Sequence, residues 1–381
     1  MLPLSGVRVA EFCQVLAGPF CGALLADMGA DVIKVEAPEG DLMRAWPPMV
    51  EGYSQYFASV NRNKRSVALD LKDPKGREAA RELALSADVV VENFRPGVMA
   101  KFELDHATLA KAKPTLVYCS VSAYGQTGPR SAEGGFDMTV QAMSGVMSVT
   151  GEPGGRPAKC GIPVADFTAG LYAAYAIAAA LCKVRSGGTG EHIDISMLGG
   201  MLGIAHLQTS ELFGTGRDPV PLGSGHPMNA PYAAFRCRNG YFAVAAGTNK
   251  LWEAACAGIG RADLARDERF ATPTLRARNQ EALRELLEAE FMKHDAAALL
   301  AIMLERGVPC APINSYSQVL ADPQVEHMGW VEEITLPSGA KSKVVISPQR
   351  ISGQRLGVYR NPPALGEHTE EVLAEMRNRE A

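Results

Sequence analysis

Three observations predict an α/β protein with a doubly wound parallel sheet. First, Val7–Phe12, a helix opened by Gly18-Pro19 and closed at Gly29, and Val32–Glu36 form one strand–helix–strand unit. Second, Val67–Leu71, a helix from Pro74 to Ser86 and Val89–Glu92 repeat that unit, and Thr115–Val121 adds another strand. Third, the alternation stops near Gly214, after which hairpins and helices predict a second region of different character.

Each element follows from its residues. Val7–Phe12 alternates and is rich in β-formers. Pro19 suits the start of a helix, where its missing N–H has no partner to lose. A helix joining two such strands makes them parallel neighbours with a right-handed crossover. The turn after the first strand reads CQVLAGPFCG and lacks G-x-G-x-x-G, so an ordinary dinucleotide site is unsupported. Glu36 stands where such folds place a ribose-binding acid, but without the glycines a solvated strand end accounts for it. Gly161–Gly190 predicts a long buried helix, with Asp166 at its mouth and Lys183, Arg185 and a Gly-Gly pair at its end. Glu191–Ser196 predicts a strand, Met197–Phe213 an apolar helix, and Gly214–Pro231, dense in Gly and Pro, a linker or mobile loop. Two alternating runs around Asn239-Gly240 predict a hairpin with a type I′ turn. Helices are expected from Lys250 to Glu305, most clearly Arg276–Lys293. A short strand at Val308–Ile313, a second hairpin in VEEITLPSGAKSKVVIS and an amphipathic tail helix complete the chain.

At 381 residues the chain is too long for one typical domain. Hydrophobic residues at 47% and charged residues at 21% are globular composition. Net charge is −4, so no overall field favours nucleic acid or an anionic membrane, and neither is expected as a partner. The eight cysteines are scattered without a C-x-x-C pair, which argues against a zinc site or disulfide framework and fits reduced thiols in the cytoplasm. MLPLSGVRVAEF runs straight into a strand, so no signal peptide is expected. The longest apolar run, about Phe167–Cys182, falls short of the ~20 residues that cross a bilayer and reads as a core helix.

On helix chemistry alone Asp166 reads as an N-cap. The cations Arg62, Lys64, Arg65, Lys72, Arg95 and Lys101 fall at predicted loops near strand ends, where ligands of open α/β sheets bind. They suit phosphates, or they form a solvated basic edge. No H-E-x-x-H or G-x-S-x-G motif is present, so zincin and serine-hydrolase chemistry are not expected. A carboxylate nucleophile then becomes plausible, and Asp166 is the best placed.

The stretches LAGPFCGALLADMGADVIKVE, NRNKRSVALDLKDPKGRE, VVVENFRPG, YCSVSAYGQTGP, GFDMTVQAMSG, PVADFTAGLYA, GHPMNAPYAAF, DPQVEHMGWVEE and PPALGEHTEEVL, in this order, resemble the family III CoA-transferases along essentially the whole chain. That resemblance implies a large Rossmann-like CoA-binding domain (1–205), a linker (206–224), a smaller α+β domain (225–320), a C-terminal segment (321–381) returning to the large domain, and an interlocked homodimer. It implies no permanently bound cofactor, with coenzyme A and acyl-CoA as substrates alongside a carboxylic or dicarboxylic acid. Carried over by position, Asp166 matches the nucleophilic aspartate. Val15, Leu16 and Ala17 match the turn that contacts CoA, with Leu16 where a family glutamine stands. Ala37 replaces an arginine that some members turn to the nucleotide. Leu69 to Lys72 and Asn93, Phe94 and Arg95 match stretches lining adenosine and phosphates, and Lys101 a phosphate partner. Phe136 and Asp137 match an aromatic–acid pair near the active site. The related racemases carry a histidine where Phe136 stands, and racemisation needs two proton-transfer groups. Transferase is therefore the expectation and racemase the alternative. Succinyl-CoA and dicarboxylate acceptors are the nearest likeness. Gly223–Pro227 is expected to act as a lid that keeps water from the intermediate.

Overall fold

The computed structural model describes residues 1–380, which fall into two compact units. The first comprises residues 1–146, 159–215 and those from Pro323 onward; the second comprises 147–158 and 216–322.

Six parallel strands organise the first unit: β1 (Arg8–Phe12), β2 (Asp31–Glu36), β3 (Arg65–Ala68), β4 (Val89–Glu92), β5 (Val117–Ser122) and β6 (His192–Ser196). Their spatial order is β3-β2-β1-β4-β5-β6, all parallel, with Val9 of β1 beside both Val32 and Val89. β1 is buried along its whole length, as a central strand covered on both faces must be. One face packs Val9, Val89, Val91 and Cys119 against α1 (Ala17–Asp27) and the long α6 (Val164–Arg185). The other packs Ala10, Ile33, Val67 and Val90 against α3 (Pro74–Ser86), after the short α2 (Gln55–Asn61) has led the chain into β3. Asp73 caps α3 by accepting from Lys75 N–H, and Pro74 follows at its first position. With α4 (His106–Ala112) between β4 and β5, the expected strand–helix alternation is present throughout this half. Strand order reverses between β1 and β4, so the loops after these two strands diverge there and leave a crevice.

Helix α6 is not the uniformly buried helix expected. Ala165, Ala169, Ala173 and Ile177 face the core, and Phe167 meets Phe20 of α1 edge to face at 4.8 Å. Leu171, Tyr172 and Tyr175 on the same helix stay exposed. The helix proper runs 22 residues, long enough and apolar enough by composition to cross a membrane, with one face taken by the core. Gly170 allows the close crossing with α1, since a Cβ there would lie 2.8 Å from Ala17 O. The expected Met197–Phe213 helix breaks at Ala205 into α7 (Met197–Ile204) and α8 (His206–Thr215), so the stretch expected to begin a linker at 206 is helical through Thr215.

In the second unit β7 (Tyr232–Cys237), β8 (Gly240–Ala245) and β9 (Cys310–Pro312) make an antiparallel sheet in the order β9-β8-β7. It packs against α9 (Asn249–Gly258), α11 (Gln280–Phe291) and α12 (Ala296–Glu305) around Phe242, Trp252 and Phe291, while α10 (Pro273–Arg278) supplies Arg276. Cys237 pairs with Gly240, so the hairpin loop is Arg238-Asn239. Neither has the positive φ that type I′ demands; only Gly240 does, one place later. The expected Arg276–Lys293 helix is cut at Asn279, whose side chain donates to the carbonyls of Arg269 and Leu275. Arg276 is fully buried and donates to the carbonyls of Ala230, Gly247 and Phe270. Gly223–Pro227 belongs to this unit, with Gly223 N–H bonded to Gly151 O and Ser224 Oγ accepting from Ala234 N–H.

The last residues return to the first unit through a hairpin, β10 (Val331–Thr335) with β11 (Lys341–Val345), and the tail helix α13 (Thr369–Glu380). Arg8 and Arg65, at the first positions of β1 and β3, pair with Glu375 of that helix at 2.6 and 2.7 Å, and Arg65 also with Glu371 at 2.8 Å. Tyr359 and Arg360 donate their backbone N–H groups to Asn63 Oδ1, and the Tyr359 hydroxyl donates to Ala26 O.

Candidate active site

A cavity of about 710 Å³ opens at the carboxyl ends of β1 and β4, where strand order reverses. Val15, Leu16 and Ala17 line it from the turn after β1, Asn93 and Phe94 from the turn after β4, and Phe136, Asp137 and Asp166 from two helix starts. Eight of the twelve residues carried over from sequence therefore meet here.

The first turn is held in an uncommon conformation. Val15, a β-branched residue, sits at φ 64. Its N–H donates to both Asp41 carboxylate oxygens at 3.1 and 3.2 Å. Lys34 Nζ lies 2.9 Å from Asp41 and donates to Cys13 O at 2.7 Å, while Lys64 Nζ lies 2.7 Å from Glu11. The side chains of Glu11, Lys34, Asp41 and Lys64 are all completely buried. Burial works against the Asp41 carboxylate, yet Lys34 and the amides of Met43 and Val15 outweigh it and hold its pKa below the usual range. Asn93 closes the second turn onto the first, exchanging two hydrogen bonds of 2.8 Å with the Gln14 backbone. Glu92 accepts from Phe94 N–H at 2.9 Å, and burial pushes its pKa up to about 7.

Asp166 is not an N-cap. Pro163 occupies that place, and Asp166 is the third residue of α6, its carboxylate accepting no hydrogen bond among the described residues. The capping work falls to Asp137, the first residue of α5 (Asp137–Met143), whose Oδ1 accepts from Ala165 N–H at 2.9 Å. Asp137 Oδ2 accepts from the buried Gln141 Nε2 at 2.8 Å, and Gln141 Oε1 accepts from Cys160 N–H at 2.9 Å. The positive end of a helix by itself would keep such a carboxylate ionised. Instead burial first, and the neighbouring Asp137 second, push its pKa up to about 7. The result is a carboxylate more basic than usual, without a covering donor, facing a cavity.

The expected basic edge divides in two. Arg62, Lys64 and Arg65 are buried in ion pairs with Asp27, Glu11 and Asp31 at 2.5, 2.7 and 2.5 Å, so they are structural rather than free for phosphate. Glu36 is likewise no solvated strand end: it is buried against Arg44 at 2.7 Å and accepts from Ser66 Oγ. Lys72, Arg95 and Lys101 are exposed and make no ion pair among the described residues, although none of them lines the cavity. Arg95 lies at its rim, packed so closely on Gly134 that a Cβ there would come 2.5 Å from its guanidinium. Leu69 is buried in the core under α3 and does not line the cavity. Another cavity, about 750 Å³, opens at the opposite ends of the strands, but Arg8 and Arg65 in its wall are already paired with Asp31, Glu371 and Glu375.

Sequence reasoning missed Lys34, Asp41, Leu42, Trp46, Gln141 and Lys159 as members or supports of the site. Nothing local marks them: their roles come from chain segments that meet only once the sheet has formed.

The model of CoA-transferase family III matches residues 4–369. The chain belongs to CoA-transferase family III. This transferase is 41% identical over 382 residues to the succinate–glutarate CoA-transferase of Agrobacterium fabrum, covering 98% of this chain and 96% of that one. It is 38% identical over 377 residues to human succinyl-CoA:glutarate CoA-transferase, covering 98% and 86% of the two chains. It is also 38% identical to the succinyl-CoA:mesaconate CoA-transferase of Haloarcula hispanica, covering 98% and 96%. Among solved structures, a CaiB/BaiF family protein from Brucella suis superposes with a TM-score of 0.87 at 40% identity, covering 98% of this chain and 99% of that one. The six-stranded α/β fold of the transferase is thus that of its family, and the racemase alternative is not favoured.

Proposed function

We propose that this transferase moves CoA from an acyl-CoA, succinyl-CoA foremost, to a dicarboxylic acid through a thioester on Asp166. The observation that carries this reading is the uncapped, basic Asp166 carboxylate at the mouth of a cavity built on the switch point of the sheet. The names of the relatives supply the acids.

In the first step an Asp166 oxygen adds to the thioester carbonyl, the C–S bond breaks, and CoA thiolate leaves a mixed anhydride. The thiolate then attacks the Asp166 carboxyl carbon, the donor carboxylate departs with its electron pair, and an aspartyl-CoA thioester remains. An acceptor carboxylate attacks that carbon in turn, expelling thiolate and forming a new anhydride. Thiolate attack on the acceptor acyl carbon releases Asp166 as a carboxylate. No net proton is consumed, and Asp166 must enter ionised. Exposed Lys72, Arg95 and Lys101 serve the CoA phosphates, Asn93–Phe94 lines the adenosine and phosphates, and the turn at Val15–Ala17 contacts CoA beside Asp166.

The reading includes a homodimer. Leu171 and Tyr175 on α6, with Leu202, Leu207 and Phe213 on α7 and α8, expose apolar surface that a second copy would cover. Light scattering tests that part. The chemistry is tested by incubation with succinyl-CoA, trapping with hydroxylamine or borohydride, and mass mapping. A label on Asp166 that is absent from Asp166→Ala is expected. Deuterium wash-in at the α-carbon of a 2-methylacyl-CoA without acid exchange would replace the reading with racemisation.

A further inference from the structure

We propose that Lys159 recognises the second carboxylate of a dicarboxylic substrate and so sets the selectivity of the site; this rests on the CoA-transfer reading above. Lys159 is the single Lys or Arg in the wall of the cavity that holds Asp166. The rest of that wall is mainly apolar, with Trp46, Phe94 and Phe136 prominent, and its two carboxylates are Asp137 and Asp166. A dianion entering such a space brings its far carboxylate into like-charge, partly desolvated surroundings, which is costly unless a cation meets it.

Lys159 is free to do so. It is exposed, it pairs with no carboxylate among the described residues, and its Nζ donates only to the Cys160 carbonyl at 3.1 Å. Exchanging that neutral acceptor for a carboxylate turns a bond between a cation and a dipole into an ion pair, whose attraction is stronger in partly desolvated surroundings.

The position of Lys159 is tied to the nucleophile. Cys160 N–H bonds Gln141, Gln141 bonds Asp137, and Asp137 bonds Ala165 N–H, one residue before Asp166. Every side chain in that relay is fixed at both ends, and Gln141 is completely buried. The backbone that carries Lys159 is therefore anchored to the turn that carries Asp166, while its exposed side chain stays free to move. One carboxyl of the substrate reacts at Asp166 while the other is held by Lys159. A monoanion of the same length loses the second contact, and Asp137 and Asp166 give it no substitute.

The test compares two acceptors, glutarate and its monoamide glutaramate, which share length and shape but differ by one charge. Using one acyl-CoA donor for both, the ratio of their kcat/KM values cancels any change on the donor side. The wild-type enzyme is expected to prefer glutarate. In Lys159→Met that preference should fall about 10- to 100-fold, through a higher KM for glutarate with kcat and the glutaramate values little changed; Lys159→Arg should keep most of it. A preference left intact in Lys159→Met, or an equal loss on both acceptors, overturns the assignment. If the wild-type enzyme transfers CoA from succinyl-CoA to neither of these acids nor to any other dicarboxylic acid, mesaconate included, the proposed function fails. Equilibrium dialysis of labelled glutarate and glutaramate, which needs no turnover, then decides Lys159 by the same ratio.

Discussion

Replacing Asp137 with Asn separates the two causes that make Asp166 basic. Its pKa of about 7, against an ordinary 3.8, corresponds to roughly 4 kcal/mol disfavouring the ionised carboxylate. Burial is the larger cause and Asp137 the smaller, so the Asn variant should recover less than half of it, about 2 kcal/mol at most. Only ionised Asp166 attacks, so the wild-type rate of aspartyl-CoA formation should rise with pH and level off above about 7. In Asp137→Asn the midpoint should fall by up to about 1.5 pH units and stay above that of an ordinary carboxylate. The variant keeps an oxygen for Ala165 N–H but faces Gln141 Nε2 with an amide, so it should also lose about 1 kcal/mol of stability. Quenched-flow measurement of CoA release from pH 5 to 9 reads the midpoint. An unchanged midpoint would show that Asp137 is not the charge Asp166 feels.

Three further outcomes are expected. Because the folded pKa of Asp166 lies above its unfolded value, the protonated acid favours the fold below about 4 and that benefit disappears as pH rises through about 7. Asp166→Asn should abolish transfer yet melt higher than wild type at pH 8, with little difference at pH 4. Lys34→Met leaves Asp41 and Glu11 buried without a shared cation and should cost about 3–5 kcal/mol in urea unfolding. Combining Lys72→Ala, Arg95→Ala and Lys101→Ala should raise KM for acyl-CoA and flatten its dependence on salt, with the melting temperature nearly unchanged.

The parallel half of the fold was legible because its signals are local. Alternation and a Pro at a helix start placed Pro74–Ser86 and Val89–Glu92 at their observed bounds. Asp166 was legible as a residue but not as an environment. Its raised pKa depends on burial and on Asp137, 29 positions earlier, and no helix-end argument contains either. The same blindness affected the cations. Arg62, Lys64 and Arg65 look in sequence like Lys72 and Arg95, and only the fold reveals that Asp27, Glu11 and Asp31 lie opposite the first three. The break at Ala205 and the Arg238-Asn239 turn were missed because apolar periodicity and an Asn-Gly pair each fit two geometries one residue apart.

The return of the chain to its own beginning has a consequence during synthesis. Arg65 is almost wholly buried and meets Glu371 and Glu375 only after some 300 further residues have been made. Until α13 leaves the ribosome, the amino-terminal sheet carries part of its cationic end unneutralised, and Asn63 Oδ1 lacks the amides of Tyr359 and Arg360. The inserted second unit, with its own hydrophobic core, is free to fold in the meantime. The first strand to be made is therefore among the last to be finished, and a stop codon between Ser196 and Tyr359 would release a chain whose six strands and switch-point turns are all present but whose Arg8 and Arg65 lack the carboxylates of α13.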